Sequence, residues 1–232
     1  MRREAHELFA LNSRDVLPAN PEVVCAALEP MLTAERKRRI DEVIAARSHA
    51  VAPVLDGLID PHNVAAVLRS AEAFGVQTVH LVASGEPFFA SQKIAQGTQR
   101  WLDVVEHPSP AACIQALRAH DYRVYVAAMD GEITPEALAE EKRVAIVFGN
   151  EHAGVSAEMR ELADGAYTIP MRGFVQSLNV SVAAALTLRA AMRGRPGNLT
   201  PEEKLVLRAR YVLASVPNAH MILEEQLRRS VS

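Results

Sequence analysis

Between Val51 and Met192 the chain alternates between two textures, and this alternation is what most limits its fold. Short apolar runs at 51–55, 78–82, 101–105, 124–128, 144–148 and 166–169 read as strands. Helical spacing marks 64–74, 111–119, 157–163 and 180–192, with a weaker helix around 89–96. Strands separated by helices are joined by long return paths, so they run mostly parallel. The expected fold class is α/β, a mostly parallel sheet with helices on both faces.

Both flanks read as helical. Thr33 suits the N-cap of a helix over 34–47, with Ile40, Val43 and Ile44 on one face, and Pro18 and Pro21 read as breaks before it. Arg193-Gly194-Arg195-Pro196-Gly197 reads as a linker-like break. Beyond it, Thr200-Pro201-Glu202-Glu203 has the form of a capping box with proline at the first helical position, and one or two helices follow. The expected organisation is a helical extension over 1–50, an α/β core over 51–193 and a second helical extension over 194–232.

At 232 residues, 49% hydrophobic and 23% charged, the chain can bury a sizeable core. Its apolar runs fall short of the roughly 18–20 residues that span a bilayer, and its first residues lack the apolar centre of a signal peptide. Cys25 and Cys113 are the only cysteines, which suggests neither a disulfide framework nor a metal site and makes a reducing cytoplasm the default compartment. The net charge of −3 hides a segregation. From Arg189 onward eight basic residues face four acidic ones, a net +4, and Arg36-Lys37-Arg38-Arg39 form a second basic cluster. A neutral or acidic body with basic ends could bind RNA through those ends; each end alone also reads as a solvated helix face.

Ligands of parallel α/β sheets sit beyond the carboxyl ends of the strands, and three loops there carry polar chemistry. Asp60-Pro61-His62-Asn63 opens a helix whose only basic residue is Arg69, a lasting positive charge that seeks an anion or a salt bridge. Phe148-Gly149-Asn150-Glu151-His152-Ala153-Gly154 follows a strand, so Glu151 sits where it could meet a ligand or orient an arginine. Ile169-Pro170-Met171-Arg172-Gly173 leads through Ser177, Leu178 and Asn179 into an apolar helix, where unpaired backbone N–H groups suit an anion or polar ligand. Taken alone, that last stretch also reads as an N-capped core helix. The glycine fingerprints of dinucleotide and P-loop sites do not follow any of these strands.

In this order, Asn63 to Arg69, Phe148 to Val155, and Ile169 to Met171 with Ser177 to Ala183 resemble the three motifs of the SpoU/TrmH family of SPOUT-class RNA ribose 2′-O-methyltransferases. The resemblance covers about residues 34–192. It implies a deep trefoil knot in the C-terminal part of the core, an S-adenosyl-L-methionine (S-adenosylmethionine) pocket formed by that knot, and a homodimer through the knot region. It assigns Ala127, Gly149, Ile169, Met171 and Leu178 to the cofactor pocket and Arg69, Asn63, Glu151, Ser177 and Asn179 to catalysis. Arg36, Lys37, Arg38, Arg39, Arg193 and Arg195 are expected to contact RNA. The activity implied is methylation of a ribose 2′-oxygen, and the need for that hydroxyl makes RNA the substrate. With helical extensions on both sides of the core, the layout resembles the family members that methylate a tRNA D-loop guanosine, which puts that substrate first, ribosomal RNA second and other tRNA riboses third. A non-catalytic RNA-binding or assembly factor with the same fold is the alternative of another class.

Overall fold

The computed structural model describes residues 17–58, 60–82 and 97–231. The weaker helix expected at 89–96 and the start of the N-terminal arm lie outside the described residues. The chain divides into two compact units, one built from Ser48–Arg195 and the other from its two ends, up to Arg47 and from Pro196.

Among the described residues the first unit holds six strands, β1 (Val51–Asp56), β2 (Thr78–Val82), β3 (Asp103–His107), β4 (Arg123–Ala127), β5 (Val144–Gly149) and β6 (Gly165–Tyr167). They form one sheet in the order β3-β2-β1-β5-β4-β6, and every neighbouring pair is parallel. Its helices are α3 (Pro61–Ala73), α4 (Pro110–Arg118), α5 (Ala157–Leu162) and α6 (Val180–Ala191). One face of the sheet, with Val51, Leu55, Ile146 and Phe148, buries Val67 and Leu68 of α3 and Ala184 and Leu188 of α6. The other face, with Ala52, Val54, Ala145 and Val147, buries Ile114 and Leu117 of α4 and Met159 of α5. Burial on both faces explains why the central strands read as unbroken apolar runs rather than as alternating ones.

Strand β3 is displaced by two residues from expectation and β6 ends two residues early, while the other strand ends agree within one residue. Trp101 closes a 3₁₀ turn, Thr98–Trp101, so β3 starts two residues later than the apolar run. Strand β6 stops at Tyr167, and the next backbone N–H, Thr168, donates to the Ile133 carbonyl. Inside the sheet, His80 on β2 and His107 on β3 share a hydrogen bond, Nδ1 to Nε2 at 2.8 Å. Burial pushes both imidazoles below their ordinary range, which keeps the pair neutral.

The helical unit contains α1 (Pro21–Leu28), α2 (Ala34–Ala46), α7 (Pro201–Ser215) and α8 (Ala219–Val231). Pro21 does not break the arm. It occupies the first turn of α1, where a missing N–H costs nothing, and the Asn20 side chain caps it by accepting from the Glu22 N–H at 2.9 Å. The Thr33 cap of α2 and the capping box at Thr200 and Glu203 form as read. Arg208 on α7 joins the unit internally, with Nε on Glu29 Oε1 at 2.5 Å and Nη1 on Asp41. The break at Pro196-Gly197 is tied down rather than free. A Cβ on Gly197 would stand 1.9 Å from the Ala45 carbonyl oxygen, and the Asn198 N–H donates to the Arg47 carbonyl at 3.0 Å. Among the described residues no helix is long and apolar enough to cross a membrane.

Candidate active site

Strands β1 and β5 lie side by side in register, from Val51 opposite Val144 to Asp56 opposite Gly149. Their carboxyl ends therefore release two loops at one point. The loops are stitched together by polar side chains at the strand ends. Asp56 Oδ2 accepts from the Ser156 N–H at 2.7 Å, and Asn150 Nδ2 donates to the Gly57 carbonyl at 2.9 Å. Asn150 Oδ1 accepts from the His152 and Ala153 N–H groups at 2.9 and 3.1 Å, which shapes the tight turn that carries Glu151. Gly149 has to be glycine here, since a Cβ would lie 2.2 Å from the Gly154 carbonyl carbon.

From the β1 side, Asp60 caps α3 by accepting from the His62 N–H at 2.9 Å, with Pro61 in the first turn. Asn63 is thus held on the opening turn of a rigid helix. Its Nδ2 donates to Glu151 Oε1 at 2.6 Å. From the third loop, Asn179 Nδ2 donates to Asn63 Oδ1 at 3.2 Å. Asn179 is also the N-cap of α6, accepting from the Ser181 N–H at 2.8 Å. Three residues separated by up to 116 positions in sequence form one hydrogen-bonded chain.

The side chains of Ser177 and Arg69 make no hydrogen bond or ion pair among the described residues, and both residues are exposed. Arg69 stands six residues beyond Asn63 on α3, roughly 9 Å along the axis and about a third of a turn off its face. The salt bridge to Glu72 that its sequence context allowed is not among the ion pairs of the described residues.

Of the residues assigned to a cofactor, Ala127 and Gly149 end β4 and β5 and Ile169 follows β6 by two residues, while Met171 and Leu178 lie further along the third loop. Ala127, Gly149, Ile169 and Leu178 are half-buried, and Met171 is exposed. Among the described residues the backbone groups of 169–178 make no hydrogen bond, so donors and acceptors line a partly apolar loop without partners of their own. That donor set fits an adenosyl group, whose ring edge and ribose need hydrogen bonds and whose faces need apolar contact. Gly131 shapes the neighbouring loop, because a Cβ there would meet the Tyr167 carbonyl carbon at 2.2 Å.

Of the basic residues expected to meet RNA, two are committed internally. The Arg195 guanidinium donates to the carbonyls of Leu138, Ala139, Glu141 and Lys142, and its Nε to that of Ala191. Arg36 Nε and Nη2 both donate to Ser215 Oγ, at 3.1 and 2.9 Å. Arg38 and Arg39 are exposed and share Glu42, at 3.6 and 3.4 Å. Such exposed pairs are weak and yield readily to a phosphate. Arg193 is exposed and Lys37 half-buried. Sequence reasoning missed Asp56, Asn150, Gly131 and Ser181. Asn150 and Ser181 had a signal, an Asx residue two positions before a polar or turn residue at a loop-to-element junction.

The comparisons with known proteins agree with this architecture. Residues 50–189 match the model of the SpoU rRNA Methylase family. The tRNA (guanosine(18)-2′-O)-methyltransferase of Thermus thermophilus is 39% identical over 166 residues, 70% of this chain and 84% of that protein. Among solved structures, the A. aeolicus TrmH/SpoU tRNA modifying enzyme superposes with a TM-score of 0.69 at 27% identity, covering 79% of this chain and 98% of that one. The SpoU methyltransferase AviRb from Streptomyces viridochromogenes, solved in complex with the cofactor AdoMet, has a TM-score of 0.58 at 25% identity over 66% of this chain and 61% of that one. The chain belongs to the SpoU rRNA methylase family.

Proposed function

We propose that this protein is an S-adenosylmethionine-dependent RNA 2′-O-ribose methyltransferase whose first substrate is a tRNA D-loop guanosine. The observation that carries the reading is the convergence of Asn63, Glu151 and Asn179 into one hydrogen-bonded chain beside a loop with uncommitted backbone groups. The Thermus relative, named for guanosine 18 of tRNA, supports the choice of nucleotide. The description of the family as rRNA methylases keeps ribosomal RNA as the second reading.

Bound S-adenosylmethionine supplies a methyl group already activated on its sulfonium. The backbone of 169–178, with Ala127, Gly149, Ile169 and Leu178, would hold its adenosyl part. Glu151, whose Oε2 has no partner among the described residues, takes the hydrogen of the 2′-hydroxyl. The remaining N–H groups of Asn63 and Asn179 hold the ribose oxygen in line, so alignment supplies much of the rate. Arg69 does not serve as a base, because a guanidinium offers donors and no acceptor. Its offset of roughly 9 Å from Asn63 along α3 suits a phosphate of the same strand better than the hydroxyl itself. From there it stabilises the charge that develops on the oxygen.

The same reading includes a trefoil knot in the core, consistent with the path of the chain from edge strand β6 back to α6, which packs on α3 and on the central strands. It also includes a C2 homodimer. Phe174 and Val175 in the third loop, with Val182 and Leu186 one turn apart on α6, are exposed apolar residues that a second copy would cover. The core of residues 51–193 is taken to carry the chemistry, and the helical extensions are 1–50 and 194–232; RNA is contacted by Lys37, Arg38 and Arg39 of the first extension and by Arg193 at the end of the core. The compartment is the cytoplasm. Methylation of unmodified total tRNA and of ribosomal RNA, with the modified ribose mapped, tests the assignment. A methyl group at the D-loop guanosine is expected, a product only in ribosomal RNA selects the second reading, and no product in either, with no cofactor binding by calorimetry, overturns both.

A further inference from the structure

The chain Asn179–Asn63–Glu151 has a direction, and that direction is fixed from both ends. At one end the Ser181 N–H, which can only donate, meets Asn179 Oδ1 at 2.8 Å, and the Ser181 hydroxyl donates to the same oxygen at 2.5 Å. An amide whose oxygen is held this way must turn its Nδ2 outward. It does so, donating to Asn63 Oδ1 at 3.2 Å. With its oxygen occupied, Asn63 presents Nδ2 to Glu151 Oε1 at 2.6 Å. At that far end an ionised carboxylate can only accept, so it demands the same orientation of Asn63 independently. The two anchors agree, and the assignment of both amides follows from donors and acceptors that have no alternative role.

Direction decides what the site can offer. In the observed sense, each asparagine keeps one N–H and Glu151 keeps Oε2 for a ligand. In the opposite sense Asn63 Oδ1 would face the Glu151 carboxylate, acceptor against acceptor, and the chain would break. Asn179 is the N-cap of α6 and Ser181 lies in its first turn, so the helix backbone sets the sense of the relay. The two donors from Ser181 fill both lone pairs of Asn179 Oδ1, leaving its amide no easy rotation.

We propose that Ser181 is a positioning residue for methyl transfer, acting through Asn179 and Asn63 to keep two amide donors and one carboxylate acceptor facing the ribose hydroxyl. What the relay serves rests on the methyl-transfer reading; its direction does not. Ser181→Ala keeps the backbone donor and loses the hydroxyl donor, which water replaces in part. The expected result is a fall of about threefold to tenfold in the single-turnover methylation rate at saturating cofactor. Cofactor affinity and melting temperature should stay at wild-type values, and Ser181→Thr, which keeps a hydroxyl, should recover most of the rate. A Ser181→Ala enzyme with the wild-type rate overturns the proposal. Side-chain amide resonances provide a second reading that needs no substrate. Ser181→Ala should shift those of both Asn179 and Asn63; a shift confined to Asn179 overturns the relay. If the wild-type protein methylates no RNA, the methyl-transfer reading falls, and the resonances still decide the relay.

Discussion

Two polar networks in this protein use similar groups to opposite ends. In the helical unit, the Arg208 guanidinium lies between Glu29 and Asp41. Opposite charges meet there, and hydrogen bonds to both carboxylates raise the arginine's pKa above its usual range. In the α/β unit, Asn63, Glu151 and Asn179 form a chain in which neutral amides bridge to a single carboxylate. Arg208 is matched by opposite charges, whereas the carboxylate of Glu151 is met by a neutral amide and its Oε2 has no partner among the described residues. The difference separates a brace from a site: what matters is the charge left unmatched after folding, not the number of polar groups brought together.

Substitutions should split along that line. The largest effect is expected at Arg69, whose side chain has no partner among the described residues. Arg69→Ala should lower single-turnover methylation by about 100-fold, the scale of removing an electrostatic stabiliser of developing charge. Cofactor affinity and thermal stability should be unchanged, and a normal rate would remove Arg69 from the mechanism. Arg208→Ala should show the reverse pattern. It leaves two carboxylates without their cation, and a loss of about 2 kcal/mol in denaturant unfolding is expected, with the methylation rate per folded molecule near wild type.

Gly149→Ala tests a position where brace and site coincide. The new Cβ would fall 2.2 Å from the Gly154 carbonyl carbon, so the turn that carries Glu151 must move. A loss of about 1–3 kcal/mol together with weaker cofactor binding is expected, and calorimetry on the folded fraction would separate the two. The smallest effect is a pH dependence from the His80–His107 pair. Burial holds both imidazoles below their ordinary value of 6.5, so the unfolded chain binds more protons than the folded one at acid pH. Stability should be level above pH 7 and fall as the pH drops through about 6.5 and below. A His80→Gln, His107→Gln protein should lose that slope.

Much of the core was legible because periodicity reports burial directly. Val144–Gly149 is buried along its first five residues, and α6 runs Val180–Ala191 against an expectation of 180–192. Where the reading slipped, a local rule had two outcomes. Pro21 ends a helix or begins one, and the choice depended on Asn20 supplying a cap. Trp101 belongs to an apolar run in sequence and to a 3₁₀ turn in space. The basic ends show the same limit at longer range. Arg195 looks like an RNA contact until its guanidinium is seen among the carbonyls of residues 138–142, over 50 positions away.

The sequence by itself determined the alternation of strands and helices, the loops that carry the polar residues, and through its three motifs the family. These depend on spacing and residue type, which a linear chain displays. The tertiary structure alone decided which polar groups spend their hydrogen bonds on the protein and which keep them. That choice took the parallel register of β1 and β5, which brings Asp56 beside Gly149 and so joins loops 88 residues apart at Asn63 and Glu151. Hydrogen-bond partners are set by distances of about 3 Å, and no pattern along the chain encodes a distance that only packing creates.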